Sequence, residues 1–135
     1  MNILVIDGQG GRMGKSVIEQ LKKKWPDLEI IAVGTNSLAT AAMLKAGADA
    51  AATGENPVLV NSRNSDIIIG PIGIVMANSL LGEITPAMAE AVSSSPAFKI
   101  FIPVNRCRHF IVGCGGQPLT AYISEVVEKV SQLLP

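Results

Sequence analysis

The sequence has few aromatic residues and cysteines and no net charge, and each shortage excludes a class of protein. Aromatic residues make up 4% of the chain, and eleven basic residues balance eleven acidic ones. Proteins that bind nucleic acid need clustered basic residues and aromatic side chains on which bases stack, so nucleic acid is excluded as a partner. The two cysteines, Cys107 and Cys114, do not make the disulfide framework of a small secreted protein. We therefore predict a reduced, cytoplasmic protein.

Long hydrophobic runs are also missing. No uncharged stretch exceeds sixteen residues, and the most apolar of this length, residues 67–82, is interrupted by Gly70, Pro71 and Gly73. This stretch is short for a membrane span, and the apolar run that begins at residue 3 lacks the basic residues of a signal peptide. No association with a membrane is expected.

The chain is nevertheless apolar for a small domain, with 48% hydrophobic residues and a mean hydropathy of +0.39. Two features explain such a composition, namely a central sheet buried on both faces and an apolar surface used for self-association. We expect both, and hence a homo-oligomer, with a homodimer as its simplest form.

Strand-like runs alternate with helical patterns along the chain. The predicted strands are 2–6, 29–33, 50–52, 66–69, 99–104 and 109–112. The predicted helices are 12–24, 38–46, a short turn opening at Asn56 and Pro57, 86–92 and 118–134, while 74–81 fits either type. The alternation predicts a single-domain α/β protein with a three-layer, doubly wound, mostly parallel sheet of Rossmann type. We take 1–135 as one nucleotide-binding domain.

The first strand runs directly into a glycine-rich turn that is followed by a helix. Glycine allows the backbone to turn tightly and approach a ligand, and the first amides of a helix attract negative charge. In doubly wound sheets, ligands lie at the carboxyl ends of the strands. The predicted cofactor-binding residues are Gly8, Gln9, Gly10, Gly11, Arg12, Met13, Gly14, Thr35, Asn36, Gly70 and Pro71.

The turn GQGGRMG, residues 8–14, resembles the N-terminal cofactor loop of dihydrodipicolinate reductases, which reads G-x-x-G-R-M-G after a strand. The resemblance covers about the first quarter of the chain and implies NAD(P)H bound through Gly8, Gly11, Arg12, Met13 and Gly14. The resemblance does not extend further. Those reductases have a second, substrate-binding domain with a catalytic histidine and lysine, and this chain has no room for one. Over its full length, the sequence resembles a family of short uncharacterised bacterial proteins with a Rossmann-like fold, which implies no activity.

Two features bear on the nucleotide. The acidic residue that binds the ribose of NAD at the end of the second strand is replaced by Gly34-Thr35-Asn36, so we predict NADP ahead of NAD. Asp7, directly before the turn, repels a pyrophosphate unless a cation offsets it. A Walker-type phosphate loop ending in Gly14-Lys15-Ser16 is the less favoured alternative, because Gln9 stands where its first glycine belongs. A tight turn without any ligand is a further alternative.

A second cluster, Asn105-Arg106-Cys107-Arg108-His109, follows the fifth predicted strand. An arginine here is suited to a phosphate or carboxylate, and flanking arginines lower the pKa of a cysteine. We predict ligand or substrate contacts from Asp7, Asn105, Arg106 and Cys107. Cys107, His109 and Cys114 could bind zinc, but nothing supplies a fourth ligand, so no metal is predicted.

The sequence thus predicts a small module that binds NAD(P) or a related nucleotide through the turn at residues 8–14 without catalysing a reaction. The alternative is a small NAD(P)-dependent oxidoreductase whose pocket a second subunit completes. No catalytic residue emerges from the pattern, since His109 is a candidate acid or base only because it is the single histidine.

Overall fold

Parallel strands form the centre of the computed structural model, which describes residues 1–104 and 109–135. The strands are β1 (Asn2–Asp7), β2 (Glu29–Gly34), β3 (Ala50–Thr53), β4 (Ile67–Pro71) and β5 (Phe98–Ile102). The helices are α1 (Arg12–Lys24), α2 (Ser37–Lys45), α3 (Glu55–Asn64), α4 (Pro86–Ser93) and α5 (Leu119–Leu133), and a 3₁₀ turn covers Ile72–Val75. Within the described residues, the strand order is β3-β2-β1-β4-β5, and every pair is parallel.

The central strands are apolar on both faces, and this is why helices cover both. In β1, Ile3 and Val5 belong to a core that includes residues of α1, α2 and α5, whereas Leu4 and Ile6 belong to a core with residues of α3 and α4. All four side chains are fully buried. The predicted fold is confirmed as a single-domain, three-layer α/β structure, with a wholly parallel sheet among the described strands.

The helix ends follow ordinary capping chemistry. Asn36 caps α2 by accepting the amide of Ala39 on its side-chain oxygen at 2.9 Å. Thr85 caps α4 in the same way, with the amide of Met88 at 3.1 Å and Pro86 as the first helical residue. Helix α4 begins at the predicted residue, and α2 begins one residue before the predicted start at residue 38.

One predicted element is wrong, and another has different bounds. Residues 109–112 form no strand, and Phe110 and Val112 are 78% and 87% exposed, so their apolar side chains add nothing to the sheet. Helix α3 begins at Glu55 rather than at Pro57 and continues to Asn64. Proline is accommodated because the amides of the first helical turn have no partner within the helix.

Residues 74–81, which the pattern left between helix and strand, form the end of the 3₁₀ turn and a series of tight turns. In the described part of the chain, no helix combines the length and the apolar character needed to cross a membrane.

Candidate functional site

The turn between β1 and α1 lies at the centre of the sheet, because β1 pairs with β2 on one side and with β4 on the other. The amide of Gly11 donates to the carbonyl of Gly8 at 2.9 Å, and Gly11 has a φ of 71° that few residues except glycine adopt. The amide of Thr35 donates to the carbonyl of Asp7 at 3.0 Å and joins this turn to the turn after β2. The sheet therefore brings both predicted binding turns together.

Asp7 caps helix α1 from the end of β1. The residue is 6% exposed. One carboxylate oxygen accepts the amide of Gly8 at 2.8 Å, and the other accepts the amide of Gly14, in the first turn of α1, at 2.7 Å. Burial raises the pKa of Asp7, and the nearby Glu83 adds to the rise, while the amides of Gly14, Gly8 and Met13 oppose it. The Asp7 carboxylate thus accepts a hydrogen bond from a first-turn amide of α1, and the sequence predicts that such amides bind a phosphate.

Internal packing explains three of the glycines in the turn. A Cβ on Gly8 would lie 2.6 Å from the Thr35 hydroxyl, and one on Gly11 would lie 2.8 Å from the Cα of Ala39. A Cβ on Gly14 would lie 2.5 Å from the sulfur of Met43 and 3.0 Å from the Cβ of Asp7. Backbone atoms of α2 require glycine at Gly11, and neighbouring side chains crowd Gly8 and Gly14, so packing accounts for these glycines without a ligand.

Gly10 differs from the other three. It is exposed, and the first atom that its Cβ would meet is the Cγ of Arg12 at 3.9 Å. Packing within the described residues therefore does not explain this glycine. Arg12, the first residue of α1, is also exposed, whereas Met13 packs partly against the core.

Glu83 places a carboxylate against the outside of both turns. Its Oε1 accepts the backbone amide of Gln9 at 2.7 Å and the hydroxyl of Thr35 at 3.1 Å, and its Oε2 accepts the side-chain amide of Asn36 at 2.8 Å. That Asn36 amide also donates to the carbonyl of Gln9 at 2.9 Å. Burial acts to raise the pKa of Glu83, but the hydrogen bonds from Gln9, Asn36 and Thr35 prevail, and the pKa is lowered.

Sequence reasoning missed Glu83. Its one signal is that it is the first charged residue after the uncharged stretch 67–82. Nothing in the pattern pairs it with Gln9, which lies 74 positions earlier in the chain.

Glu83 belongs to a segment, residues 76–84, that we call the cover segment. It follows the 3₁₀ turn after β4, and the Cδ1 of Leu80 lies 2.8 Å from where a Cβ on Gly8 would stand. Its base is held by the amide of Asn78, which donates to the carbonyl of Ile84 at 2.7 Å, and by the fully buried side chain of Ile84. The cover segment therefore lies over the crevice between β1 and β4, where ligands of doubly wound sheets bind.

Gly70 and Pro71, two further predicted cofactor contacts, are buried in β4. A Cβ on Gly70 would lie 2.5 Å from the carbonyl oxygen of Ile6, so close packing of the chain explains this glycine. Two surface depressions lie elsewhere, one of about 260 Å³ between α3 and α4 and one of about 440 Å³ between β5 and α5. Above the glycine turn, the side chains of Leu80 and Glu83 lie close to Gly8.

The predicted contacts Asn105, Arg106 and Cys107 lie outside the described residues, as does Arg108. They stay predictions, as does the reactivity of Cys107. Cys114 lines the larger depression. Among residues 1–104 and 109–135, no group of three or more histidine, cysteine and acidic side chains is arranged to hold a metal ion.

Comparison with protein families decides the family of this chain. Residues 2–135 match the family described as "Domain of unknown function (DUF3842)". The chain belongs to this family. The search of curated proteins finds no match.

Among solved structures, the chain is similar to a dodecameric FMN-dependent UbiX-like decarboxylase from Escherichia coli O157:H7. The two share 17% sequence identity with a TM-score of 0.47, and the similarity covers 98% of this chain and 76% of the other. At this level the likeness concerns the fold alone.

The predicted cofactor, NADP or NAD, is contradicted. The similar decarboxylase is FMN-dependent, and FMN is a different cofactor from NAD(P). In this chain, the amides of Gly14 and Gln9 are bonded to the carboxylates of Asp7 and Glu83, respectively. The resemblance of the loop to dihydrodipicolinate reductases, the homodimer and the cytoplasmic location stay predictions.

Proposed function

We propose that this protein binds a small phosphate-bearing ligand, such as a mononucleotide, at the carboxyl ends of β1 and β2. The position follows the rule for doubly wound sheets, whose ligands lie where the strand order reverses. Here the chain moves outward from β1 to β2 and β3 and then returns to β4 on the other side of β1. The glycine turn after β1 lies at that reversal.

The observation that carries the proposal is the set of donors around the Glu83 carboxylate. The backbone amide of Gln9, the hydroxyl of Thr35 and the side-chain amide of Asn36 all point to one acidic group. Carboxylate and phosphate oxygens are both stabilised by several hydrogen-bond donors that are already in position. Donors arranged for one of these anions suit the other.

Gly10 and Arg12 support the same position. An exposed glycine with no contact that explains it allows the backbone to approach a ligand. Arg12 is exposed two residues later and brings a guanidinium group, which matches a phosphate with paired donors.

We propose binding rather than catalysis because both acidic groups at this site already hold hydrogen bonds. The two oxygens of Asp7 accept the amides of Gly8 and Gly14, and the two oxygens of Glu83 accept three donors. A general base needs an oxygen directed at its substrate. In this arrangement, both carboxylates instead accept donors of the protein itself.

The test is calorimetry of the full chain with inorganic pyrophosphate, ADP and FMN as probes. Gly10→Glu adds a negative charge at the mouth of the turn, and Gly10→Gln is its neutral control of the same size. Because a Cβ at this position meets no atom closer than 3.9 Å, both variants are expected to fold. We expect wild type to bind at least one probe and Gly10→Glu to bind it about tenfold more weakly than Gly10→Gln. Failure of all three probes to bind at millimolar concentration would contradict the proposal, as would equal affinities of the two variants.

A further inference from the structure

We infer that the cover segment is an autoinhibitory lid, whose Glu83 carboxylate occupies the position of the ligand's anionic group and must leave before the ligand binds. This inference rests on the proposed function, because it takes the same donors as the binding site. It adds a regulatory step that the fold alone does not require.

The first support is the competition for donors. Gln9, Thr35 and Asn36 direct their donors at one carboxylate, and the same Asn36 amide also bonds the carbonyl of Gln9. A ligand phosphate at this point would need those donors, and its charge would meet the charge of Glu83 at close range. The two anions therefore exclude each other.

The second support is the position of Leu80. Its Cδ1 lies 2.8 Å from the point where a Cβ on Gly8 would stand, so the leucine fills the space directly above the turn. Leu80 also packs against the core that contains Ile74 and Ile84. Binding at the turn thus requires this side chain to move together with Glu83.

The third support is the backbone of the cover segment. Asn78, Leu80 and Leu81 have φ values of 67°, 55° and 57°, a left-handed conformation that is strained for leucine. Leu81 is also 97% exposed, so no burial of its side chain offsets this cost. Opening the segment would relieve this strain and so offset part of the cost of breaking its contacts, while its base stays anchored by the buried Ile74 and Ile84.

Because only open molecules bind the ligand, the apparent affinity is the intrinsic affinity multiplied by the open fraction. A lid that is closed about nine-tenths of the time therefore weakens binding roughly tenfold. The test compares four full-length proteins by calorimetry, with pyrophosphate and ADP as probes. They are wild type, Glu83→Gln, Leu80→Ala and the control Glu90→Gln. Glu90 is exposed on α4 and bonds Ser94 at the end of its own helix, so Glu90→Gln removes the same charge away from the site.

Leu80→Ala separates opening of the lid from simple charge removal, because it alters no charge. A second readout, exchange of the Gln9 amide hydrogen by NMR without ligand, reports the contact itself. We expect Glu83→Gln and Leu80→Ala each to bind the probes about tenfold more tightly than wild type and to speed exchange at Gln9. Glu90→Gln is expected to do neither.

Two results overturn the lid while leaving the binding function intact. One is that wild type, Glu83→Gln and Leu80→Ala bind a probe with equal affinity, although Gly10→Glu binds the same probe more weakly. The other is weaker binding by Glu83→Gln, which would make Glu83 a contact of the ligand. If none of the four proteins binds pyrophosphate, ADP or FMN, the proposed function fails and the lid fails with it.

Discussion

Asp7 and Glu83 are carboxylates that face the same glycine turn, yet their surroundings are opposite. Asp7 is 6% exposed and bonds only backbone amides of its own turn and of α1. Glu83 is partly exposed and bonds groups from two other turns. Burial raises the pKa of Asp7, whereas hydrogen bonds outweigh burial and lower the pKa of Glu83.

This difference gives the two carboxylates different roles, since Asp7 stabilises the fold and Glu83 covers the proposed binding site. Asp7 satisfies amides that would otherwise be buried without a partner, so its removal damages the fold. Glu83 satisfies donors at the rim that water or a ligand reaches when the carboxylate leaves. The same chemical group therefore holds the turn together from inside and covers it from outside.

Gly11→Ala and Gly82→Ala give the largest expected contrast between the two regions. Both glycines have positive φ, 71° in the turn and 89° in the cover segment. A Cβ on Gly11 would lie 2.8 Å from the Cα of Ala39, while one on Gly82 meets nothing within 4 Å. We expect Gly11→Ala to cost about 3 kcal/mol, from strain and overpacking, and Gly82→Ala about 1 kcal/mol from strain alone.

Urea unfolding followed by circular dichroism measures both costs. Equal losses of stability would show that backbone strain dominates and that α2 yields to the added methyl group. That result would remove the distinction between a rigid turn and a movable cover segment.

Asp7→Ala and Glu83→Ala test the same contrast through the carboxylates. Asp7→Ala leaves the amides of Gly8 and Gly14 without their acceptors, and we expect a loss of about 2 kcal/mol in unfolding free energy. Glu83→Ala exposes its donors to water, and we expect a loss of about 1 kcal/mol or less. A larger loss from Glu83→Ala than from Asp7→Ala, measured by the same urea titrations, would make the cover segment part of the rigid fold.

The strands and the glycine turn could be predicted from sequence because their signals are local. The apolar run 3–6 is buried on both faces, and the caps at Asn36 and Thr85 lie where their residue types favour them. Strand 109–112 was predicted on the same kind of local evidence and is wrong, since an apolar run becomes a strand only where a partner strand is available.

The content of the site could not be predicted, because it depends on contacts between distant parts of the chain. The spacing of Gly8, Gly11 and Gly14 resembles a phosphate loop, but the close approach of Thr35, Ala39 and Met43 explains each of them. The sequence predicts that Asp7 repels a phosphate, and in the structure its carboxylate caps α1. A glycine pattern shows where the backbone is crowded, and only the folded chain shows what crowds it.

The smallest expected effect is the pH dependence of stability, in which the two carboxylates have opposite signs. Because the pKa of Asp7 is raised above its ordinary value of 3.8, the folded protein holds that proton more tightly than the unfolded chain. Between 3.8 and the raised pKa, Asp7 therefore makes the protein less stable as pH rises. Because the pKa of Glu83 is lowered below 4.5, its contribution is complete above pH 4.5 and is lost as pH falls through the lowered value.

Urea unfolding of wild type, Asp7→Asn and Glu83→Gln across acidic pH isolates the two contributions. The stability of wild type relative to Glu83→Gln should shrink as the solution is acidified, whereas its stability relative to Asp7→Asn should grow. Slopes of the same sign would mean that the two carboxylates share one environment. In that case Glu83 would belong to the interior of the turn, and the cover segment would have no separate motion with which to admit a ligand.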